Sequence, residues 1–295
     1  MILEEVDRFQ LGQDQIMAVG ILDSRAYLAA SWNGRVAARD PGRRKTEEVV
    51  VADGSACSGL AVASSDAGIA VTTFAGGVHL LDPETLHQRK QVRLSQSALT
   101  CAAISTDRQI FAFGGRRPEI VCVRASDLST ICRFDGHHDW LEALAFQPES
   151  RILAAGDQTG DIRIWSIREQ KERHLLQGHR GAVMALAWSP AGAQIASGGH
   201  DKIIRLWNPE DGSMIGQLTG HKSTVRGLAF LGGGQTLISA SQDRTIRFWD
   251  VAARMQTASF TTDDQWLTAL ALDNRGKLMV TGSLVGVVRL LAIKD

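Results

Sequence analysis

The sequence predicts an all-β chain built from seven similar four-stranded sheets, and two markers that repeat every 42 residues carry this prediction. The first marker is the dipeptide Gly-His, found at Gly136-His137, Gly178-His179 and Gly220-His221. The second is a tryptophan that ends a short apolar run, found at Trp165, Trp207 and Trp249. Two unrelated markers that share one period indicate an internal repeat, and a period of this size is typical of stacked or circular architectures.

The same spacing extends over the whole chain of 295 residues. Counted back from Trp165 it falls on Val123, Leu81 and Arg39, and counted forward from Trp249 it falls on Leu291. The chain therefore holds about seven units with almost nothing left over. We expect residues 1–295 to form a single domain, without a second domain or a long linker.

Within each unit the apolar residues have the spacing of strands. Leu141, Leu144 and Phe146 recur one period later as Val183, Leu186 and Trp188, and short alternating runs broken by Gly-rich turns follow them. Such a unit holds about four strands of roughly five to seven residues. One four-stranded sheet cannot bury both of its faces alone, whereas seven packed radially in a closed ring can. The predicted fold is a seven-bladed β-propeller of antiparallel blades.

The repeating residues resemble the WD-repeat family, which has a repeat of ~40–45 residues with Gly-His and Trp-Asp signatures. The resemblance covers the whole chain in spacing, is strongest in repeats four to six, and includes one literal Trp-Asp pair, Trp249-Asp250. The resemblance implies that the N-terminal strand completes the last blade. We therefore expect residues 2–9 (a strand-like segment at Leu3–Phe9) to lie as the outer strand beside strands at 277–282 and 286–291.

The register at the start of the chain needs a shift of one residue. Ile16, Val19 and Ile21 align with Leu267, Leu270 and Leu272 only with this shift, and a shorter turn at residues 22–26 restores the phase by Tyr27.

Composition and charge exclude several classes of partner. Lys and Arg (32) balance Asp and Glu (32), which removes the general electrostatic reason to expect nucleic acid or an acidic membrane. The sequence has no run of 18 apolar residues that could span a bilayer. Its acidic N-terminus lacks the basic-then-apolar order of a secretory signal. The four cysteines lack zinc or redox spacing and are expected to be reduced, mostly buried thiols in a cytoplasmic protein. The initial Met and the complete ring favour a stand-alone chain.

A His, a Ser, an Asp and a Trp recur together in repeats five and six, as His179, Ser197, Asp201 and Trp207 and as His221, Ser239, Asp243 and Trp249. They could suggest two Ser-His-Asp catalytic sites. The family resemblance implies instead a structural hydrogen-bond network, and a nucleophile would have no reason to recur every 42 residues. Repeat four keeps His137 and Trp165 but has Ala155 and Thr159 at the Ser and Asp positions. We expect complete networks in blades five and six only, more apolar packing in blades one to three, and no catalytic residue.

No cofactor or metal is expected. The remaining histidines (His79, His87, His138, His174 and His200) have no metal-ligand spacing, and the glycine pairs and triplet do not form a phosphate-binding loop.

The resemblance also implies that three positions per blade contact partners on one side of the ring. The first set is Trp32, Phe74, Arg116, Gln158, His200, Gln242 and Leu284. The second set is Gln15, Ala56, Ala98, Trp140, Ala182, Thr224 and Trp266. The third set is Met17, Ser58, Thr100, Glu142, Met184, Arg226 and Thr268.

Among these residues the large aromatic and cationic side chains are the expected partner-binding residues, because Trp and Arg are common anchors of protein interfaces. They are Trp32, Phe74, Arg116, Trp140, His200, Arg226 and Trp266. Trp266, Trp32 and Phe74 stand on neighbouring blades and are predicted to form one contiguous apolar arc. The alternative is that these rings pack inward against adjacent blades.

We therefore expect a non-enzymatic scaffold or adaptor that holds a partner protein or peptide, with no nucleic acid, membrane or small-molecule substrate. One alternative is an enzyme with an active site at the channel mouth, although only Glu142 and Arg226 are ionisable there. Another is a structural ring subunit of a larger complex.

Overall fold

The structure is a computed structural model that describes residues 1–22, 26–43, 45–51, 53–63, 68–263, 265–273 and 275–294. In chain order its strands are β1 (Ile2–Gln10), β2 (Ile16–Leu22), β3 (Ala26–Ser31), β4 (Arg35–Asp40), β5 (Lys45–Val50), β6 (Cys57–Val62), β7 (Ile69–Thr73), β8 (Gly77–Leu81), β9 (Gln88–Arg93), β10 (Leu99–Ile104), β11 (Ile110–Gly115), β12 (Glu119–Arg124), β13 (Thr130–Asp135), β14 (Leu141–Phe146), β15 (Ile152–Asp157), β16 (Ile162–Ser166), β17 (Lys171–Leu176), β18 (Val183–Trp188), β19 (Ile195–Gly199), β20 (Ile204–Trp207), β21 (Met214–Leu218), β22 (Val225–Phe230), β23 (Thr236–Ser241), β24 (Thr245–Asp250), β25 (Met255–Thr261), β26 (Leu267–Leu272), β27 (Leu278–Ser283) and β28 (Val287–Lys294).

These strands form seven antiparallel four-stranded sheets, which confirms the predicted seven-bladed propeller. Blades one to six are consecutive meanders, beginning with β2-β3-β4-β5, and blade seven has the order β1-β28-β27-β26. In the described part of the chain there is no helix, and so none that could cross a membrane.

The N-terminal strand closes the ring as expected. β1 pairs antiparallel with β28 from Ile2 opposite Lys294 to Gln10 opposite Val287, with an irregularity between Glu5 and Asp7. The expected strands at 277–282 and 286–291 each begin one residue later, and the second continues three residues further, because β1 supplies a full-length partner along that edge.

The same irregular part of β1 is tied to blade one. The Asp7 carboxylate accepts hydrogen bonds from the Arg39 guanidinium at 2.8 and 3.0 Å and from the Tyr27 hydroxyl at 3.1 Å. The hydrogen bond from Arg39 is the main reason that the pKa of Asp7 lies below its usual value. Blade one thus holds the strand that completes blade seven.

The shift of one residue near the N-terminus is confirmed by strand register. Ile16 lies opposite Ser31 and Val19 opposite Ala29, as Leu267 lies opposite Ser283 and Leu270 opposite Thr281. The compensating turn at residues 22–26 includes Asp23–Arg25, which lie outside the described residues.

Apolar residues between neighbouring blades form the core. Seven buried clusters occur in the described part of the chain, and each joins two adjacent blades. One of them packs Val280 and Leu290 of blade seven against Tyr27 and Ala37 of blade one. The interface that closes the ring is therefore apolar, like those between consecutive blades.

The first strand of each blade is the innermost, and these seven strands contact one another in a ring that closes from β26 to β2. Each has a β-bulge one residue after its start, so that one extra residue has no partner on the second strand. The seven extra residues are Met17, Ser58, Thr100, Glu142, Met184, Arg226 and Thr268, the third of the three predicted contact sets. A bulge re-aims the side chain it carries, and this gives these positions a common structural cause that the sequence alone did not show.

Candidate partner-binding face

The recurring His, Ser, Asp and Trp of blades five and six are joined by hydrogen bonds. In blade five the Trp207 Nε1 donates to Ser197 Oγ at 2.8 Å, Ser197 Oγ lies 2.7 Å from His179 Nε2, and His179 Nδ1 lies 3.0 Å from Asp201. In blade six Trp249, Ser239, His221 and Asp243 give the corresponding distances of 2.8, 2.7 and 2.8 Å. Both serines are completely buried. A serine without access to solvent, whose oxygen already accepts a bond from an indole, is placed to fix a fold and not to attack a substrate.

The two aspartates are drawn inward by these networks. Asp201 also accepts the backbone N–H of Arg180, and Asp243 accepts that of Lys222. Burial raises the pKa of both carboxyls, but the hydrogen bonds from His179 and His221 and from the backbone outweigh it and hold each pKa well below its usual value. Both carboxylates are therefore charged at neutral pH and occupied by internal donors.

Blade four has an incomplete network with a substitute acid. His137 Nδ1 lies 2.8 Å from Asp157, which is two residues earlier than the position that Asp occupies in blades five and six. Ala155 replaces the serine, and neither His137 Nε2 nor Trp165 Nε1 has a hydrogen-bond partner among the described residues. Two buried polar atoms thus face the place where blades five and six carry a hydroxyl.

Blade two contains a polar network that the sequence did not predict. His79 is fully buried, with Nε2 3.0 Å from Asp53 and Nδ1 2.7 Å from Gln88, and Thr73 donates to Asp53 at 2.9 Å. The sequence predicts more apolar packing in blades one to three, and in this blade the apolar clusters are accompanied by a buried polar network. Asp53 stands at the repeat position of the signature His, and His79 stands on the third strand at the repeat position of Arg205 and Arg247, so the same pair of residue types is built from different positions than in blades five and six.

The first and second predicted contact sets lie together on one side of the ring. In every blade the backbone N–H of the first-set residue donates to the carbonyl of the second-set residue, at 2.8–3.0 Å. The pairs are Trp32 with Gln15, Phe74 with Ala56, Arg116 with Ala98, Gln158 with Trp140, His200 with Ala182, Gln242 with Thr224 and Leu284 with Trp266. We call this side, formed by the turns between second and third strands and by the connections between blades, the front face.

Four of the predicted residues form a chain of ring and cation contacts across blades one to four, which we call the aromatic arc: Trp32, Phe74, Arg116 and Trp140. The ring centroids of Trp32 and Phe74 are 4.8 Å apart. The Arg116 guanidinium lies 5.9 Å from the Phe74 ring and 4.5 Å from the Trp140 ring. Trp32 is 48% exposed and Trp140 is 40% exposed, so the arc is a surface and not part of the core.

The structure shows the Trp32–Phe74 contact of the predicted arc of Trp266, Trp32 and Phe74, and the part that includes Trp266 stays a prediction. Trp266 is 49% exposed on the front face, but no ring contact joins it to Trp32 within the described ranges. From Phe74 the contacts continue toward blade four, because Arg116 spans the space between the aromatic rings of Phe74 and Trp140.

Beside the arc, three partly buried residues (Glu142, Gln158 and Arg226) and the exposed His200 make a polar mouth to the channel. Gln158 Nε2 donates to Glu142 at 2.7 Å. Burial raises the pKa of Glu142, and that hydrogen bond and the charges of Arg226 and Arg116 offset the effect only in part. Burial also lowers the pKa of His200, with the charge of Arg226 acting in the same direction. One carboxylate between cations is suited to binding, and it does not provide the pair of opposed carboxyl groups that glycoside hydrolysis uses.

Among the described residues, no group of three or more His, Cys, Asp or Glu side chains is placed to hold a metal ion. All four cysteines are free and buried.

Comparison with known proteins gives one family. The family model described as WD domain, G-beta repeat matches residues 128–166, 170–208 and 212–250, each of which ends at the third strand of blade four, five or six. A comparison with curated proteins gave no match. WD40 propellers commonly mediate protein interactions and are generally non-enzymatic. The chain thus carries WD40 repeats at three positions within a seven-bladed β-propeller.

Proposed function

We propose that this protein is a non-enzymatic scaffold or adaptor whose front face binds a partner protein or peptide. The observation that carries the proposal is the aromatic arc, in which two tryptophans, Trp32 and Trp140, are 48% and 40% exposed. Large exposed aromatic patches are uncommon on monomeric proteins unless they bind something. Trp and Arg are also the residues that most often dominate the energy of a protein interface.

The arc is already ordered before any partner arrives. Phe74 supports Trp32, and Arg116 lies over Phe74 and Trp140, so each exposed ring is held by a neighbour. Because these side chains lose little freedom on binding, their contact with a partner retains most of its energy. The rigid ring of strands beneath supports the same conclusion.

Support for a binding function over an enzymatic one comes from the polar side chains. The serines, histidines and aspartates with catalytic-looking spacing are committed to internal networks. At the channel mouth, the described residues provide one buried carboxylate, Glu142, held by Gln158. The four buried free thiols fit the reducing cytoplasm, which we propose as the location.

The experiment is affinity capture from native extract with quantitative mass spectrometry, using the wild type and the double variant W32A/W140A. Truncating two interface anchors typically weakens binding by about 30-fold or more, so captured partners should fall to background. Met214→Ala is the matched control, because Met214 is a similarly exposed large apolar residue that lies on the outer strand β21 and belongs to none of the predicted contact sets.

Equal melting temperatures for all three proteins would establish that folding is unchanged. Capture of the same partners by wild type and W32A/W140A in equal amounts would refute a binding role for the arc.

A further inference from the structure

The front face of blades five and six carries four exposed cations, which we call the basic patch: Arg180, Lys202, Lys222 and Arg244. Two follow the signature histidines and two follow the network aspartates. No ion pair involves any of these four side chains within the described residues. The patch therefore presents uncompensated positive charge, on a chain whose total formal charge is zero.

The acids that would neutralise this patch point away from it. Asp201 is bound by His179 and by Arg205 at 2.6 Å, and Asp243 by His221 and by the Thr245 hydroxyl at 2.6 Å. Side chains of both aspartates are more than nine-tenths buried. The structural networks thus remove two negative charges from the surface and leave the neighbouring cations free.

Positive charge continues from the patch toward the channel. Arg226 lies at the bulge of blade six and, with His200 of blade five, forms part of the polar mouth. The Arg226 Nε is buried and has no hydrogen-bond partner among the described residues. Arg226 as a whole is only partly buried, so a partner's carboxylate can approach the rest of its guanidinium, in addition to the charge of Glu142 nearby.

The other half of the front face has a different character. There the aromatic arc spans blades one to four, and the front-face segments of blade four also carry two partly buried carboxylates, Asp139 and Asp161. A partner that covers both halves must offer apolar groups to the arc and negative charge to the basic patch. It must also carry no continuous negative charge past Asp139 and Asp161.

We propose that the partner's docking segment is an acidic peptide whose carboxylates lie on the basic patch, with one side chain reaching Arg226, and whose apolar side chain packs on the aromatic arc. This rests on the proposed function. An RNA or DNA strand fits less well, because its phosphates would pass the carboxylates of blade four. The rings of the arc also contact one another and leave no series of free parallel faces for bases.

Two residues of the basic patch can be replaced by glycine without straining the backbone. Lys202 and Arg244 have φ of 68° and 66°, and the same turn position is glycine in blades one, two, four and seven, at Gly34, Gly76, Gly160 and Gly286, with φ of 79–99°. Lys202→Gly and Arg244→Gly therefore remove a charge and install the residue that four other blades already use. Arg254→Gly is the matched control on the opposite face, because Arg254 has φ 56° and blade five has Gly212 at that position with φ 74°.

The experiment selects binders from a phage-displayed library of random 12-residue peptides and measures the best as synthetic peptides by fluorescence anisotropy. We expect selected peptides enriched in Asp and Glu beside a large apolar residue. K202G/R244G should weaken peptide binding about ten-fold at low salt, because each exposed ion pair that is lost contributes a few-fold in affinity. R254G should change the affinity less than about two-fold. Arg226→Gln should weaken them by about ten-fold or more, because a half-buried charge contributes more than a rim charge.

The outcomes separate the two proposals. Peptides that need Trp32 and Trp140 but show no acidic enrichment and no loss with K202G/R244G would overturn the acidic segment and leave the proposed function standing. Selected peptides that bind W32A/W140A unchanged would overturn the proposed function as well. Tight binding of a 12-nucleotide RNA that depends on the basic patch, without selection of acidic peptides, would replace the acidic segment by nucleic acid.

Discussion

Replacing Ala155 by serine should complete the network of blade four and stabilise the protein. The register places Ala155 opposite Leu144 and Arg163, as Ser197 of blade five is placed opposite Leu186 and Arg205. The ring centroids of His137 and Trp165 are 6.3 Å apart, close to the 5.8 Å between His221 and Trp249. A serine hydroxyl at this position should therefore fit between the two rings.

The expected gain follows from the two orphaned atoms. In blades five and six the serine oxygen lies 2.7 Å from the imidazole Nε2 and 2.8 Å from the indole Nε1. In blade four the hydroxyl would accept from Trp165 and donate to His137. A buried hydrogen bond contributes about 1 kcal/mol net, and an unpaired buried group costs about 1–3 kcal/mol. Ala155→Ser should raise the free energy of unfolding by about 2 kcal/mol.

Urea unfolding followed by tryptophan fluorescence measures this change. Ala29→Ser is the matched control, because Ala29 has the same repeat position in blade one but is fully buried among Leu11, Val19 and Ala37. An unpaired hydroxyl there should lower stability by about 1–3 kcal/mol. If Ala155→Ser were neutral or destabilising while Ser197→Ala cost little, the hydroxyl would not be the element that joins the network.

Three further predictions concern acid stability, thiol reactivity and packing. The pKa of Asp243 is lowered in the folded state, so its contribution to the free energy of unfolding is complete above the unfolded value of 3.8 and is lost as pH falls below it. Asp243→Asn should cost about 3 kcal/mol at pH 7 and should flatten the decline of melting temperature between pH 5 and 3. An unchanged decline would show that other groups control acid stability. Burial raises the pKa of Cys57 from 9.0 to about 12, so its thiolate fraction at pH 8 falls about 1,000-fold. Ellman's reagent should therefore label Cys57 only after unfolding, and rapid labelling of the native protein would contradict this prediction. Gly115→Ala would place a Cβ 2.0 Å from the Ala98 carbonyl oxygen and should destabilise the protein by about 2 kcal/mol or more. At Gly232 an added Cβ would have nothing within 4 Å, so Gly232→Ala should change the free energy of unfolding by no more than about 0.5 kcal/mol. Equal melting temperatures for the two variants would contradict the packing argument.

The blade count and ring closure were predictable because the repeat acts on every level of the structure. A fixed period sets where each strand begins, and sheets that must bury both of their faces need a neighbour on each side, which only a closed ring provides for every sheet. The shift before Tyr27 was readable for the same reason, since a one-residue slip would reverse the burial of Ile16 and Val19.

The details that the sequence missed depend on contacts between positions that the period does not align. In blade four Asp157 takes the role of the network acid, although it lies two residues before the position of Asp201 and Asp243. A strict 42-residue alignment therefore does not identify it as the network acid. In blade two, Asp53 stands at the signature His position and pairs with His79, which stands at the position of Arg205 and not at that of the network Asp. The bulge at Glu142 and its equivalents depends on register with the neighbouring strand, and the link through Arg116 depends on the reach of a long side chain. None of these has a signal in spacing alone.

Amide hydrogen exchange of the protein, free and bound to the partner captured by the wild type, tests most directly whether the front face is the binding surface. We predict slower exchange in the complex at the front-face turns near residues 32–34, 74–76 and 138–140, with the turns on the opposite side unchanged. Slower exchange confined to the opposite turns, or to the outer strands β5, β9 and β13, would contradict that assignment.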